Sequence, residues 1–253
     1  PKYYEKFELH PEVRAGFDSV SNGLKGGATL QGGQAPFGFN ISYDYKDYDG
    51  YKDGNGNRIT ADFKQSNFTA GVGYFLDRDK KIELNYMGQR GKDVFYPTLA
   101  MDSPKDDMDM AALKLDFKNL SGLVNGLEAR VYASQVEHMM DNYSKKNYVT
   151  NPPAVKMEAP SESRTYGGKL KATLDLLDGT DTGIDYYNRW WDITLKRWNM
   201  MGMRLADIRA MPDTTIQDSG VFIQPKKKFG NLKVTAGARI DFVNAQANAV
   251  GTT

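Results

Sequence analysis

Two side chains in this 253-residue sequence have the type and spacing to hold a soft metal ion, His138 and Met140. On an extended strand, residues two apart point to the same side. An imidazole beside a thioether is a borderline-to-soft donor pair, which suits copper and above all Cu(I). The same spacing recurs at Met108 and Met110, and Met101 lies a few residues earlier. These three are weaker candidates for the same ion. Other methionines, Met157, Met200, Met201, Met203 and Met211, fall in or beside polar stretches that read as links. Exposed methionine is unusual unless a partner or a soft metal uses it. The plainer alternatives are a wall histidine in water beside a gap-filling methionine, and hydrophobic packing of the links.

Little other chemistry is visible. There is no Cys, which excludes a thiolate zinc site, a disulfide scaffold and a cysteine nucleophile within these residues. No nucleophile-elbow, phosphate-loop or zinc-protease motif occurs, so no enzyme is predicted. Asp53-Gly54-Asn55-Gly56-Asn57-Arg58 begins like a calcium loop but has Arg58 where glycine is required and Lys64 where glutamate is required. It reads as a hairpin loop. The 33 Lys and Arg against 32 Asp and Glu leave a formal net charge of +1, which argues against nucleic acid as a partner. Lys226-Lys227-Lys228, just before Gly230-Asn231, reads as a solvated strand end near lipid headgroups. His10, before Pro11 in an extended run, is given no role.

The elements that would position the candidate ligands alternate with period two. Phe37, Phe39, Ile41, Tyr43 and Tyr45 interleave with Gly38, Asn40, Ser42, Asp44 and Lys46. Leu113, Leu115 and Phe117 flank Lys114 and Asp116, and Leu127, Ala129, Val131 and Ala133 interleave with Glu128, Arg130 and Tyr132. The pattern returns at 68–76, 82–86, 170–176 and 232–242. Such alternation predicts strands with one apolar and one polar face. No run approaches the roughly 18 to 20 apolar residues of a membrane helix. A transmembrane β-barrel needs only every second residue to be apolar.

The links alternate too. Short ones (32–36, 77–80, 123–126, 178–181, 230–231) are separated by long polar ones (47–62, 95–107, 143–163, 197–214). That asymmetry matches short periplasmic turns and long extracellular loops, with roughly 11 antiparallel strands in all. Aromatic pairs near strand ends suit interfacial girdles: Tyr48 and Tyr51, Phe95 and Tyr96, Tyr143 and Tyr148, Trp190 and Trp191. An odd strand count and unpaired edges in lipid predict that residues 1–253 are part of one β-barrel domain of about 22 strands. In that reading Met108, Met110, His138 and Met140 face the wet lumen near the long-loop end.

Several stretches carry a family resemblance: Asp47-Tyr48-Asp49-Gly50-Tyr51, Val94-Phe95-Tyr96-Pro97, Ala100-Met101-Asp102-Ser103-Pro104-Lys105, Tyr132 through Ser144, and Ala159 through Gly168. They resemble the barrel of TonB-dependent outer-membrane receptors, most closely the copper-receptor branch, over most of 37–243. The resemblance implies import of copper or a related metal across the outer membrane of a Gram-negative bacterium, with copper as transported ligand and no organic cofactor. It implies lipid bilayer and lipopolysaccharide around the barrel and the TonB complex acting through a plug. It also points to His138 and Met140, since that branch has a His-x-Met element in its barrel, the missing ligands coming from the plug. Neither a plug nor the remaining barrel strands have a counterpart in the sequence. Two alternatives remain: a ferric-siderophore receptor, and a surface β-sheet protein that binds glycan or protein.

Overall fold

A computed structural model describes residues 1–145 and 155–248, and the backbone of 251–252. The strands are β1 (Glu8–Asp18), β2 (Gly23–Gln34), β3 (Phe37–Tyr48), β4 (Tyr51–Lys52), β5 (Arg58–Ile59), β6 (Phe63–Phe75), β7 (Lys80–Val94), β8 (Asp102–Phe117), β9 (Val124–Asp141), β10 (Lys156–Leu174), β11 (Thr180–Trp198), β12 (Arg204–Phe229), β13 (Leu232–Thr235), β14 (Ala238–Gln246) and β15 (Gly251–Thr252). Each main strand pairs antiparallel with its sequence neighbours, in the order β1-β2-β3-β6-β7-β8-β9-β10-β11-β12-β13. β14 and β15 also pair with β12, beyond β13 along the same partner. The expected meander of about 11 antiparallel strands is therefore present, and its two outer strands do not meet among the described residues.

Register decides which side chains share a face. One row across the sheet reads Phe37, Tyr74, Ile82, Leu115, Ala129, Leu170, Ile184, Val221, Ile240. Every member is apolar or aromatic. The adjacent row, on the opposite face, reads Gly38, Gly73, Glu83, Lys114, Arg130, Lys169, Asp185, Gly220, Asp241. Apart from glycine, every member is charged. Glycine has a steric role at 220: the Arg239 guanidinium, bidentate on Asp185 at 2.6 and 2.8 Å, lies where a Cβ at Gly220 would sit.

A soluble sheet buries its apolar face under a second layer. Here Val131 is 57% exposed, and Leu113, Leu170, Ile184 and Val221 are exposed with it. Among the described residues, few apolar side chains are buried: Tyr4, Phe75, Ala112 and Pro212. With no second sheet or helix over that face among the described residues, hydrocarbon is the medium that suits it. The surface-sheet alternative, which needs such a cover, does not fit.

The link pattern is less lopsided than the sequence predicts. The 95–107 stretch is already strand from Asp102, and 143–163 is strand from Lys156, with 146–154, including Tyr148 of the girdle set, outside the described residues. The 197–214 stretch shrinks to 199–203 because β11 runs to Trp198 and β12 begins at Arg204. Met157 and Met211 are thus strand residues. The reason is physical. A strand needs about 9–11 residues to cross a bilayer, whereas β9 has 18 and β12 has 26. Beyond the hydrocarbon both faces are wet, so apolar alternation stops while the hydrogen-bond ladder continues. The 53–58 stretch is the expected hairpin. Asp53 Oδ1 accepts the Asn55 and Asn57 N–H groups at 2.9 and 2.8 Å between β4 and β5, so its carboxylate is used in the turn.

Candidate metal centre

His138 sits on the inner, charged-row face of β9, in a row that reads Gly91, Asp106, His138, Ser161, Ile193 across β7 to β11. Its Nδ1 lies 3.4 Å from Asp106 Oδ1. Ser161 Oγ accepts the indole N–H of Trp191 at 3.1 Å. His138 and Asp106 are both half-buried, open to the inner space but shielded by neighbouring strands.

Of the weaker methionines, Met108 falls beside this histidine and Met110 farther along the same inner wall. Met108 and Met110 pair with Val136 and Ser134 on the same inner face. Met108 is thus the diagonal neighbour of His138, a separation of about 7–8 Å in a regular sheet, within reach of long side chains. Met140 lies two residues beyond His138, opposite Ala159, and Met157 is its diagonal neighbour on β10. Met87 faces Met110 directly across the β7–β8 ladder. Thioethers therefore line the inner wall on four adjacent strands, with the imidazole among them. Met101 stands in the link just before β8, half-buried and off the ladder. Met200, Met201 and Met203 are exposed at the β11–β12 turn, where Asn199 Oδ1 accepts the Met201 and Met203 N–H groups at 3.0 and 2.9 Å.

Sequence reading missed Met87 and the placement of Met157. Met87 shares the parity of Glu83 and Asn85, which marks it as inward, so the signal was present. Met157 carried no such signal, because its neighbours show no apolar alternation.

The outer end of this wall is fixed by a polar clasp. Asp102, buried at the head of β8 above the apolar rows, pairs with Lys145, accepts the Ser144 hydroxyl and takes the Tyr96 N–H at 2.8 Å. Burial by itself raises the carboxyl pKa; those three donors outweigh it and hold the group below its ordinary value. Ser103, fully buried, donates toward the carbonyls of Lys105 and Met139, each at 3.0 Å, where the β8–β9 register shifts. Asn142 bridges β9 to β10, donating to Val155 O and accepting the Met157 N–H, each at 2.9 Å. These contacts set the height of Met140 and Met157 relative to His138.

Among the described residues, no three His, Cys, Asp or Glu side chains converge as a metal site. A metal at this wall would rest on His138 and thioethers, a donor set that disfavours hard cations and suits Cu(I).

An antiparallel meander with an apolar outer row, a charged inner row and strands far longer than a bilayer crossing is the wall of a membrane-spanning barrel. The sheet has the fold of part of a transporter barrel, as the solved structures similar to it show. No family model matches the sequence, and no curated protein matches it. Solved structures do. The copper transporter OprC is similar with a TM-score of 0.86 at 21% identity, over 98% of this chain and 39% of that one. The FrpB iron transporter from Neisseria meningitidis (F3-3 variant) gives 0.65 at 19%, over 95% and 43%. P. aeruginosa FpvA, bound to heterologous pyoverdines, gives 0.62 at 10%, over 100% and 39%. The chain thus spans about two fifths of the length of these neighbours. The first two are named as transporters.

Proposed function

We propose that this chain is part of the barrel wall of a TonB-dependent receptor that imports copper, captured as Cu(I) at His138 and Met140 with Met108 beside them and Met110 farther along the same wall. The single observation that carries this reading is the gathering of thioethers around one imidazole on the inner wall of a transport-barrel fold. A bare soft ion needs only a few such donors. Met101, Met200, Met201 and Met203 at the outer end would offer weak transient sites on the way in. The ligands that complete the shell would come from a plug, through which the TonB complex would release the ion. The rest of the barrel belongs, in this reading, to the same domain. Lipid and lipopolysaccharide would surround its outer face.

The test is copper content and uptake of the full-length protein beside His138→Ala and Met140→Ala variants. Loss of bound copper in both supports the site; unchanged copper in both removes it and leaves the barrel standing.

One observation favours a second reading, capture of a ferric chelate. On the inner wall of β11, the Arg189 guanidinium lies over the Trp191 ring at 4.6 Å, an arrangement that suits an anionic, aromatic chelate. Growth on a ferric siderophore that depends on Arg189 and Trp191, but not on His138, would favour it.

A further inference from the structure

We propose that Asp106 is the positioning residue for His138: its carboxylate accepts a hydrogen bond from Nδ1–H, fixes the ring tautomer and leaves Nε2 as the metal-binding nitrogen. This rests on the copper reading above and adds to it a residue that does not itself touch the ion.

Five observations converge. Asp106 stands directly opposite His138 in the β8–β9 register, and its Oδ1 is 3.4 Å from Nδ1. Among the described residues, no Lys or Arg lies within ion-pair distance of Asp106, and His138 is its only such basic neighbour. The adjacent Lys105 turns to the other face, where it meets Glu137 at 2.5 Å, and so does not draw the carboxylate away. On the far side of Asp106, β7 presents Gly91, where a Cβ would come 3.1 Å from the Asp106 Cβ. A larger residue there would crowd the carboxylate. On the other side of the ring, Ser161 Oγ already accepts the Trp191 indole.

The chemistry follows from the imidazole itself. A neutral ring has one N–H and one lone pair, and the acceptor that holds the N–H decides which nitrogen is left to bind metal. A carboxylate in that role also raises the basicity of the free nitrogen, and loss of such a partner typically costs 10–100-fold in metal affinity. The ligand class is a soft monovalent ion, Cu(I) or its redox-inert counterpart Ag(I).

Ring-nitrogen NMR of the metal-free, full-length protein in detergent, with the His138 signals assigned by their loss in His138→Gln, reads the tautomer directly. The expected result is the Nδ1–H form in the wild type, retained in Asp106→Asn, whose amide oxygen still accepts, and shifted toward Nε2–H in Asp106→Ala. Ag(I) titration should then weaken about 10–100-fold in Asp106→Ala, with Asp106→Asn between it and wild type. An Nε2–H wild type, or an Asp106→Ala spectrum and Ag(I) affinity equal to wild type, overturns the proposal. If Asp106→Ala does not fold, the wild-type tautomer and the Asp106→Asn titration decide it. If His138→Gln binds Ag(I) as wild type does, the copper reading fails, whereas the tautomer arm still shows whether Asp106 orients the ring.

Discussion

The lower and upper halves of the same strands make an instructive pair. On the outer face, the row from Phe37 to Ile240 contains only apolar and aromatic side chains, and none that is charged. Four rows higher the same face reads Tyr45, Ser66, Arg90, Asp107, Glu137, Glu162, Asp192. The backbone ladder passes through both without interruption. What changes is the solvent: hydrocarbon selects for apolar side chains below, and water permits acid–base pairs above, such as Arg90 with Asp109 at 2.8 Å and Lys105 with Glu137 at 2.5 Å. The wall is thus one structural element in two media, and the candidate metal centre lies in the upper, wet part, where side chains are free of the demand to match lipid.

The largest effect is expected in the lipid-facing half. Val131→Arg should destabilise the folded barrel by about 2–4 kcal/mol, whereas Gln135→Arg, on the same strand and face but higher, should cost about 0–1 kcal/mol. Reversible urea unfolding in detergent or lipid measures both, and equal costs would erase the distinction between the halves. Next in size is the outer clasp. Asp102→Ala removes a buried charge-assisted acceptor and should cost about 1.5–3 kcal/mol, felt locally as proteolysis near Ser144 and Lys145. Because the folded pKa of Asp102 is lowered, its contribution is fully present above the ordinary carboxylate value of 3.8 and is lost as pH falls through the lower folded value. Limited proteolysis should therefore open the clasp only in strong acid, and Asp102→Asn should flatten that pH dependence. The smallest effect belongs to an exposed pair in the wet half: Lys105→Ala, which leaves Glu137 with Gln135 as its partner, should leave the unfolding midpoint in urea unchanged. A lowered midpoint would show that the upper ladder depends on its surface charges.

Much of the fold was legible because hydrocarbon leaves a strict record. Leu113, Leu115, Ala129 and Val131 could be placed on one face from parity alone, and the register confirms them there with Lys114 and Arg130 opposite. The upper strand ends were not legible. At 156–163 and 204–214 both faces are wet, so Lys156 to Ser163 and Arg204 to Thr214 alternate in no readable way and resemble loops. The site shows the same division. Met108, Met110, His138 and Met140 continue strands whose parity is set lower down, so their common face could be read. Met157 lies in the unreadable part, and Asp106 had no claim to attention until the β8–β9 register set it against His138. Pairing between strands is long-range information that a single sequence does not carry.

The account stands on the odd residues of the lower β9 facing lipid while the even ones face water. Residues 1–253 contain no Cys, so single cysteines placed from 127 to 138, in the full-length protein with any cysteine outside these residues replaced, can be spin-labelled and tested for contact with membrane-soluble oxygen and with a water-soluble nickel complex. The account predicts that oxygen dominates at 129, 131 and 133 and nickel at 128, 130, 132 and 134, with both faces open to nickel by 137 and 138. Oxygen and nickel contact that fails to alternate over 128–134, or alternates with the opposite parity, would contradict it.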